Sequence, residues 1–202
     1  MSILGFVKPD KGTTLFNGID LGTFKGESLR NTRRLIQPVF QDANSALNPR
    51  MTAESCVKDG LSADRQDKEE TVLALLKSVG LDVDHLNKYP HQLSGGQKQR
   101  LCIARALAPE PELLILDEPV SAQDLSIQAQ IINLLLDLKE NKRITYLLIS
   151  HDLRVVRSLA DRMAIMKEGE LLEEGVCGDI FSNPNHPYTR ELLVSSGLLG
   201  SE

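Results

Sequence analysis

Apolar residues along the chain fall into two patterns, short continuous runs and longer stretches with helical spacing. The runs LLILD (113–117) and TYLLI (145–149) are almost entirely apolar, as the buried strands of parallel sheets are. Helical spacing follows each run, first in LSIQAQIINLLLDLKE and then over residues 153–160. Because strands and helices alternate, the pattern predicts an α/β fold in which helices cover a mostly parallel sheet.

Turn-forming residues divide the first part of the chain. MSILGFV (1–7) predicts the end of a helix, since Pro9 and Gly12 follow it. The pair Asn17-Gly18 lies between β-favouring residues and predicts a tight hairpin. A helix is expected over GESLRNTRR and a strand over LIQPVFQD. Pro38 cannot donate a ladder hydrogen bond, so this strand is expected at a sheet edge or a bulge.

Residues from about 48 to 90 are rich in helix-forming types and poor in β-branched runs. In QDKEETVLALLKSVGL, apolar residues recur at helical spacing from Val72 to Val79, and Gly80 supplies a stop. This stretch therefore predicts a helical lobe inserted into the α/β fold. Farther along the chain, RMAIMKEGELLEEG predicts a closing hairpin.

Composition excludes several classes of protein. The 202 residues are 41% hydrophobic and carry a net charge of -5, so no excess of basic residues indicates binding to nucleic acid. The three cysteines are far apart and lack a C-x-x-C spacing, which favours neither disulfides nor a zinc site and fits a reducing compartment. Apolar runs are far shorter than the roughly 20 residues that cross a bilayer. We therefore expect a cytosolic protein that reaches a membrane only through a partner.

LSGGQKQR (93–100) has the features of an anion-binding helix start. Ser94 is a good N-cap, two glycines let the backbone approach a ligand, and the first turn of the helix has free N–H groups. Taken alone, the stretch is more often an ordinary glycine turn before a helix. Its interpretation depends on the other motifs.

Two adjacent carboxylates end the run LLILD. Asp117 is suited to hold Mg²⁺, mostly through water, and Glu118 to polarise an attacking water in phosphoryl transfer. His151, after the second run, could contact the γ-phosphate, although a lone histidine at a strand end is more often structural. Gln41 alone would be a surface amide. No G-x-x-x-x-G-K-[ST] phosphate loop occurs in the 202 residues.

The order and spacing of five motifs together are far more specific than any one of them. VFQD, LSGGQKQR, LLILDEP, SAQD and SHD resemble the Q-loop, signature, Walker B strand, D-loop and switch histidine of an ABC transporter nucleotide-binding subunit. SALNPRMT (45–52) and NPNHPYTREL (183–192) resemble the oligopeptide, dipeptide and nickel importer branch of that family. Gln123 departs from the aliphatic residue that is usual in the D-loop.

The resemblance implies a P-loop NTPase-like α/β fold over the whole chain, as a single ABC ATPase domain. Residues 1–47 and 108–182 would form the catalytic core and 48–107 the helical signature lobe. Residues 183–202 would form a C-terminal extension of the peptide-importer type. We expect the domain to be truncated, because the family's first core strand, its phosphate loop and most of its first helix would precede Met1.

By the same resemblance, the cofactors would be ATP and Mg²⁺. The resemblance implies catalytic roles for Glu118, His151 and Gln41, ATP contacts by Ser94, Gly95, Gly96, Gln97 and Asp124, and Mg²⁺ binding by Asp117 and Gln41. ATP binding by the isolated chain is not expected, since the phosphate loop is missing from it.

The expected function is to hydrolyse ATP and energise an importer of peptides, or of nickel, from the cytoplasmic face of the membrane. The partners would be a second ABC ATPase subunit, two permease subunits and, indirectly, an extracytoplasmic solute-binding protein. No nucleic-acid partner is expected. Two alternatives stay open. The chain could be an inactive partner that contributes only its signature motif, or a non-transport ABC ATPase.

Overall fold

The computed structural model describes residues 3, 4, 7, 9–62, 65–121 and 123–199. The helix end predicted over residues 1–7 lies mostly outside this range. Strands β1 (Leu15–Phe16) and β2 (Ile19–Asp20) form the predicted antiparallel hairpin. Its turn residues Asn17 and Gly18 both have positive φ, 51° and 78°, which the tight turn requires.

A three-stranded parallel sheet lies at the centre of the fold. Strands β3 (Ile36–Val39), β4 (Leu113–Asp117) and β5 (Thr145–Ile149) are arranged in the order β3-β4-β5. The predicted parallel sheet is therefore confirmed, with the run LLILD as its middle strand. Pro38 lies opposite Ile115 in the edge strand β3, where the missing donor can face away from the ladder.

Along the chain, helices α1 to α5 come between the hairpin of β1 and β2 and the middle strand β4. Their bounds are α1 Gly26–Leu35, α2 Ala43–Ala46, α3 Ala53–Lys58, α4 Lys68–Ser78 and α5 Gly95–Leu107. Short 3₁₀ turns cover Leu21–Thr23, Val83–His85 and Pro90–Gln92. Gly80, at a φ of 74°, follows α4 as its predicted stop. Helix α5 contacts α2, α3 and α4 and is the centre of this helical part.

The second half of the chain continues the alternation and then closes with a hairpin and two helices. Helices α6 (Leu125–Lys142) and α7 (Leu153–Leu159) follow β4 and β5, as the spacing predicts. Strands β6 (Arg162–Lys167) and β7 (Glu170–Val176) form the predicted antiparallel hairpin. Helices α8 (Cys177–Ser182) and α9 (Pro187–Ser195) complete the described residues. None of the helices in these ranges is both long and apolar enough to cross a bilayer.

One hydrophobic cluster joins the helical part to the sheet. It includes Leu76 of α4, Leu101 of α5, Leu116 of β4 and Leu135 of α6, all without exposed surface. A second cluster lies between the closing hairpin and helices α8 and α9. Helix α5, which begins with the signature, and the middle strand β4 therefore pack into the same core.

A carboxylate on β7 holds the segment NPNHPYT. Glu173 is 9% exposed, and its two oxygens accept hydrogen bonds from the backbone N–H groups of Asn185 (2.8 Å) and His186 (3.1 Å). Burial alone would raise the pKa of the Glu173 carboxyl, but the hydrogen bonds outweigh burial and lower this pKa. The charged carboxylate therefore orients the start of α9.

We expect the substitution Glu173→Gln to lower the free energy of unfolding by about 1–2 kcal/mol, because the amide nitrogen cannot accept one of the two bonds. The depressed pKa means that this stabilisation is present at neutral pH and is lost as the pH falls below the ordinary glutamate value of 4.5. Urea unfolding at several pH values measures the effect. A difference between wild type and variant that does not shrink at acid pH would contradict the assigned role of the charge.

Candidate functional site

The candidate site begins where the middle strand ends. Glu118 directly follows β4, has a positive φ of 49°, and donates its backbone N–H to the carbonyl oxygen of Ile149 at 2.9 Å. A positive φ is costly for a residue with a Cβ, and such strain is concentrated at functional sites. The left-handed turn directs the chain away from the strand at Glu118.

Glu118 and His151 form a direct pair at this edge of the sheet. Glu118 Oε1 lies 2.6 Å from His151 Nδ1 and accepts a second hydrogen bond, 2.9 Å long, from the backbone N–H of His151. The Glu118 side chain is 18% exposed, whereas that of His151 is 77% exposed. The carboxylate is thus held from one side, and the imidazole extends from it into solvent.

Gln41 joins the same group through Ser121. Gln41 Nε2 donates to Ser121 Oγ at 3.1 Å, and Ser121 Oγ donates to the carbonyl oxygen of Glu118 at 3.2 Å. The three residues predicted to be catalytic, Gln41, Glu118 and His151, are therefore connected in one hydrogen-bonded group. Ser121, the first residue of SAQD and not itself predicted to be a site residue, makes that connection across 80 positions of the chain.

Asp117 and Gln41 offer oxygen atoms that suit Mg²⁺. Asp117 is partly exposed, and its carboxylate makes no hydrogen bond or ion pair with the rest of the described chain. Gln41 uses its amide nitrogen for Ser121, so its Oε1 is available. Both donors are of the type that Mg²⁺ prefers. Within the described ranges, no group of three or more His, Cys, Asp or Glu side chains is arranged to hold a metal ion.

The signature motif forms the start of α5, as the sequence predicts. Ser94 is the N-cap, and its Oγ accepts the backbone N–H of Gln97 at 3.2 Å. In return, Gln97 Oε1 accepts the backbone N–H of Ser94 at 2.9 Å. This reciprocal capping box fixes the first turn of the helix. It leaves the N–H groups of Gly95 and Gly96 as the first-turn donors that an anion could use.

The two signature glycines face one residue of the D-loop and one residue that follows it. A Cβ added at Gly96 would lie 2.8 Å from Cγ2 of Ile127 in α6. One added at Gly95 would lie 3.0 Å from Oε1 of Gln123, at the end of a long side chain. Gln123, the departure from the D-loop pattern, therefore lies against the signature. Asp124 is the exposed N-cap of α6, and its side chain makes no capping hydrogen bond.

Helix α5 also contacts the segment that follows Gln41. Lys98 Nζ donates to Asn44 Oδ1 at 2.7 Å, which links the signature helix to α2. Asp42 caps α2 by accepting the backbone N–H of Asn44, and this hydrogen bond lowers the pKa of the Asp42 carboxyl. The Q-loop residue Gln41 and the signature are therefore joined through α2. The structure places both predicted groups of site residues, but no direct hydrogen bond in the described chain connects Glu118 to Ser94.

Comparisons with known proteins show which family and which structures the chain is similar to. The sequence model of the family described as ABC transporter matches residues 1–121. The dipeptide transport ATP-binding protein DppF of Lactococcus lactis subsp. cremoris is 45% identical over 189 residues, covering 91% of the chain and 61% of that relative. The oligopeptide transport ATP-binding protein OppF of Streptococcus mutans is 44% identical over 197 residues, covering 95% and 64%. The chain thus spans about three fifths of the length of these relatives.

Two solved structures have the same fold. A dimer of the ATP-binding cassette MJ0796 in a post-hydrolysis state with ADP and Pi is 32% identical, with a TM-score of 0.75, covering 87% of the chain and 79% of that structure. The cbiO1 protein of Clostridium perfringens, part of the transporter complex cbiONQ, is 28% identical, with a TM-score of 0.80, covering 96% and 76%. The predicted ABC ATPase fold is confirmed by these similarities.

Proposed function

The chain belongs to the ABC transporter family, and on this premise we propose that it is an ATP-hydrolysing subunit that energises an importer of peptides. The observation that carries the proposal is the pair of Glu118 and His151, whose side chains meet at 2.6 Å beyond the carboxyl ends of two parallel strands. In open α/β sheets, ligands bind at that edge. The pair favours a hydrolytic role over the alternative in which the chain only contributes its signature motif.

Each predicted residue at this edge of the sheet has a separate part in the proposed reaction. Glu118 would accept a hydrogen bond from the attacking water, and His151 would contact the γ-phosphate from its exposed position. Asp117 and Gln41 would hold Mg²⁺, which neutralises charge on the phosphates of bound ATP. Gln41 would in addition couple the nucleotide site to the position of α2. Ser121 joins Gln41 to Glu118, and the next residue of the chain, Asp42, is the N-cap of α2.

The signature face would serve a second site in the assembled transporter. Ser94, Gly95 and Gly96 would meet ATP held by the phosphate loop of a second ABC ATPase subunit, with Gln97 and Asp124 at the same face. Bound to two permease subunits, the pair would lie at the cytoplasmic side of the membrane and would receive solute from an extracytoplasmic binding protein. The names of the two relatives favour peptide over nickel as the solute.

Substitution of Ser94 tests the signature role. In the complex that co-purifies with a tagged copy of the chain, we expect Ser94→Ala to lower ATP hydrolysis by at least about fivefold, because it removes a cap worth about 1 kcal/mol at the site itself. The matched control is Thr52→Ala, which removes the N-cap hydrogen bond of α3 in the same helical part but away from the site.

Equal activity of the two variants would contradict the signature role. Uptake of a labelled dipeptide and of labelled nickel by cells that lack the chain distinguishes the two solutes. Loss of nickel uptake alone would overturn the peptide assignment.

A further inference from the structure

A histidine outside the five motifs contacts the signature. His85 ends the 3₁₀ turn Val83–His85, and its side chain is 12% exposed. Its Nδ1 lies 2.6 Å from Asp82 Oδ1, and its Nε2 lies 3.0 Å from Nε2 of Gln97, twelve positions along the chain. The imidazole therefore bridges an acidic residue and the last residue of LSGGQ.

The contacts determine which nitrogen of His85 carries the proton. The Gln97 amide is oriented by Ser94, whose N–H donates to Gln97 Oε1, so the amide NH₂ faces the imidazole. Because two N–H groups cannot hydrogen bond to each other, Nε2 of His85 must be the bare acceptor. The proton then lies on Nδ1, where it is donated to Asp82 Oδ1 at 2.6 Å, and this contact prevails over the longer one, 3.2 Å, between the same nitrogen and the backbone N–H of Asp82.

Both polar atoms of the Gln97 amide have a hydrogen-bond partner in this arrangement. Its oxygen accepts from Ser94, and its nitrogen donates to His85. If His85 did not accept, the amide could rotate and the N–H of Ser94 would lose its partner at the start of α5. Helix caps stabilise the first turn of a helix, so the orientation of this one amide affects the order of that turn.

We propose that His85 is a positioning residue of the signature, whose Nδ1–H tautomer holds the Gln97 amide and thereby fixes the first turn of α5. Gln97 then acts by holding the cap of Ser94, and the ligand-facing groups are those of Ser94, Gly95 and Gly96. The consequence for ATP hydrolysis rests on the proposed function, whereas the hydrogen bonds of His85 do not.

Two amide substitutions test the two ring nitrogens of His85 separately. In His85→Gln, the amide oxygen reaches the place of Nε2 and can accept from Gln97. In His85→Asn, the shorter amide takes the place of Nδ1 and can donate to Asp82, but nothing accepts from Gln97. Because the two amides also differ in size by one methylene, stability alone does not separate hydrogen bonding from packing, and the tautomer of the wild-type imidazole is measured as well.

The first measurement is the NMR spectrum of the imidazole nitrogens in the labelled full chain at neutral pH. We expect the Nδ1–H tautomer in the wild type, and faster exchange of the Ser94 amide proton in His85→Asn than in His85→Gln. An Nε2–H tautomer, or equal exchange in both variants, would overturn the inference whether or not the chain takes part in ATP hydrolysis.

The second measurement is ATP hydrolysis by the complex that co-purifies with the tagged chain. We expect His85→Asn to lower the rate roughly fivefold, as for one hydrogen bond, and His85→Gln to stay within about twofold of wild type. Equal rates for the two variants would overturn the role in hydrolysis. A wild-type complex without any hydrolysis would instead refute the proposed function, and the imidazole spectrum would still decide the role of His85.

Discussion

Glu118→Gln is expected to lower ATP hydrolysis by the assembled complex at least about 100-fold, the low end of what general acid–base catalysis contributes. Glutamine keeps Oε1, the atom that accepts both hydrogen bonds from His151, so the local geometry can persist. What it loses is the negative charge and the basicity that would polarise water. We therefore expect the assembled complex to lose ATP hydrolysis but to keep ATP binding.

The control for this experiment is Glu174→Gln, the same chemical change at an exposed position of β7. Phosphate release and retention of labelled ATP on a filter are measured in parallel for both variants. A Glu118→Gln complex that hydrolyses ATP at the rate of the control would exclude Glu118 as the catalytic base. Loss of ATP binding together with hydrolysis would assign the residue to the folding of the site instead.

Much of the fold follows from local patterns in the sequence. The run LLILD is the middle strand because four successive apolar residues suit a strand covered on both faces. Asn17-Gly18 forms the hairpin because both residues tolerate positive φ. In each case, the physical cause lies within a few residues of the element that it determines.

The contacts of the site depend on residues far apart in the sequence. Gln41 reaches Glu118 through Ser121, and no local pattern marks a serine as the bridge. Similarly, His85 contacts Gln97 only because the turn that follows α4 lies beside the start of α5. The motifs predict candidate site residues, whereas the hydrogen bonds among them arise from contacts between segments that are far apart in the chain.

Gly96 of the signature could lack a Cβ for either of two reasons. The missing Cβ allows close packing against a neighbouring helix, or it allows a ligand to approach the backbone. Gly96 is buried, and an added Cβ would lie 2.8 Å from Cγ2 of Ile127, a branched carbon that cannot move away like the end of a long side chain. We therefore expect Gly96→Ala to lower the free energy of unfolding by about 2–3 kcal/mol. For a chain of this length, that corresponds to a Tm lowered by about 4–12 °C.

Two further variants show whether the contact with Ile127 is the cause. Gly178→Ala is the control, since nothing lies within 4 Å of its added Cβ, and it should not lower the Tm. Ile127→Ala removes Cγ2, so the cost of Gly96→Ala should fall by at least about 1 kcal/mol in that background, as expected for residues in contact. If Gly96→Ala costs the same in both backgrounds, the packing explanation is wrong.

Activity of the double variant then separates packing from ligand approach. Because Gly96→Ala adds one methyl group whose clash is absent when Ile127 is alanine, α5 and α6 should pack closely again. A complex with the double variant that regains ATP hydrolysis would assign Gly96 to the α5–α6 contact. If its fold is restored but hydrolysis remains low, the Gly96 backbone must be approached closely by the nucleotide, which only a residue without Cβ permits.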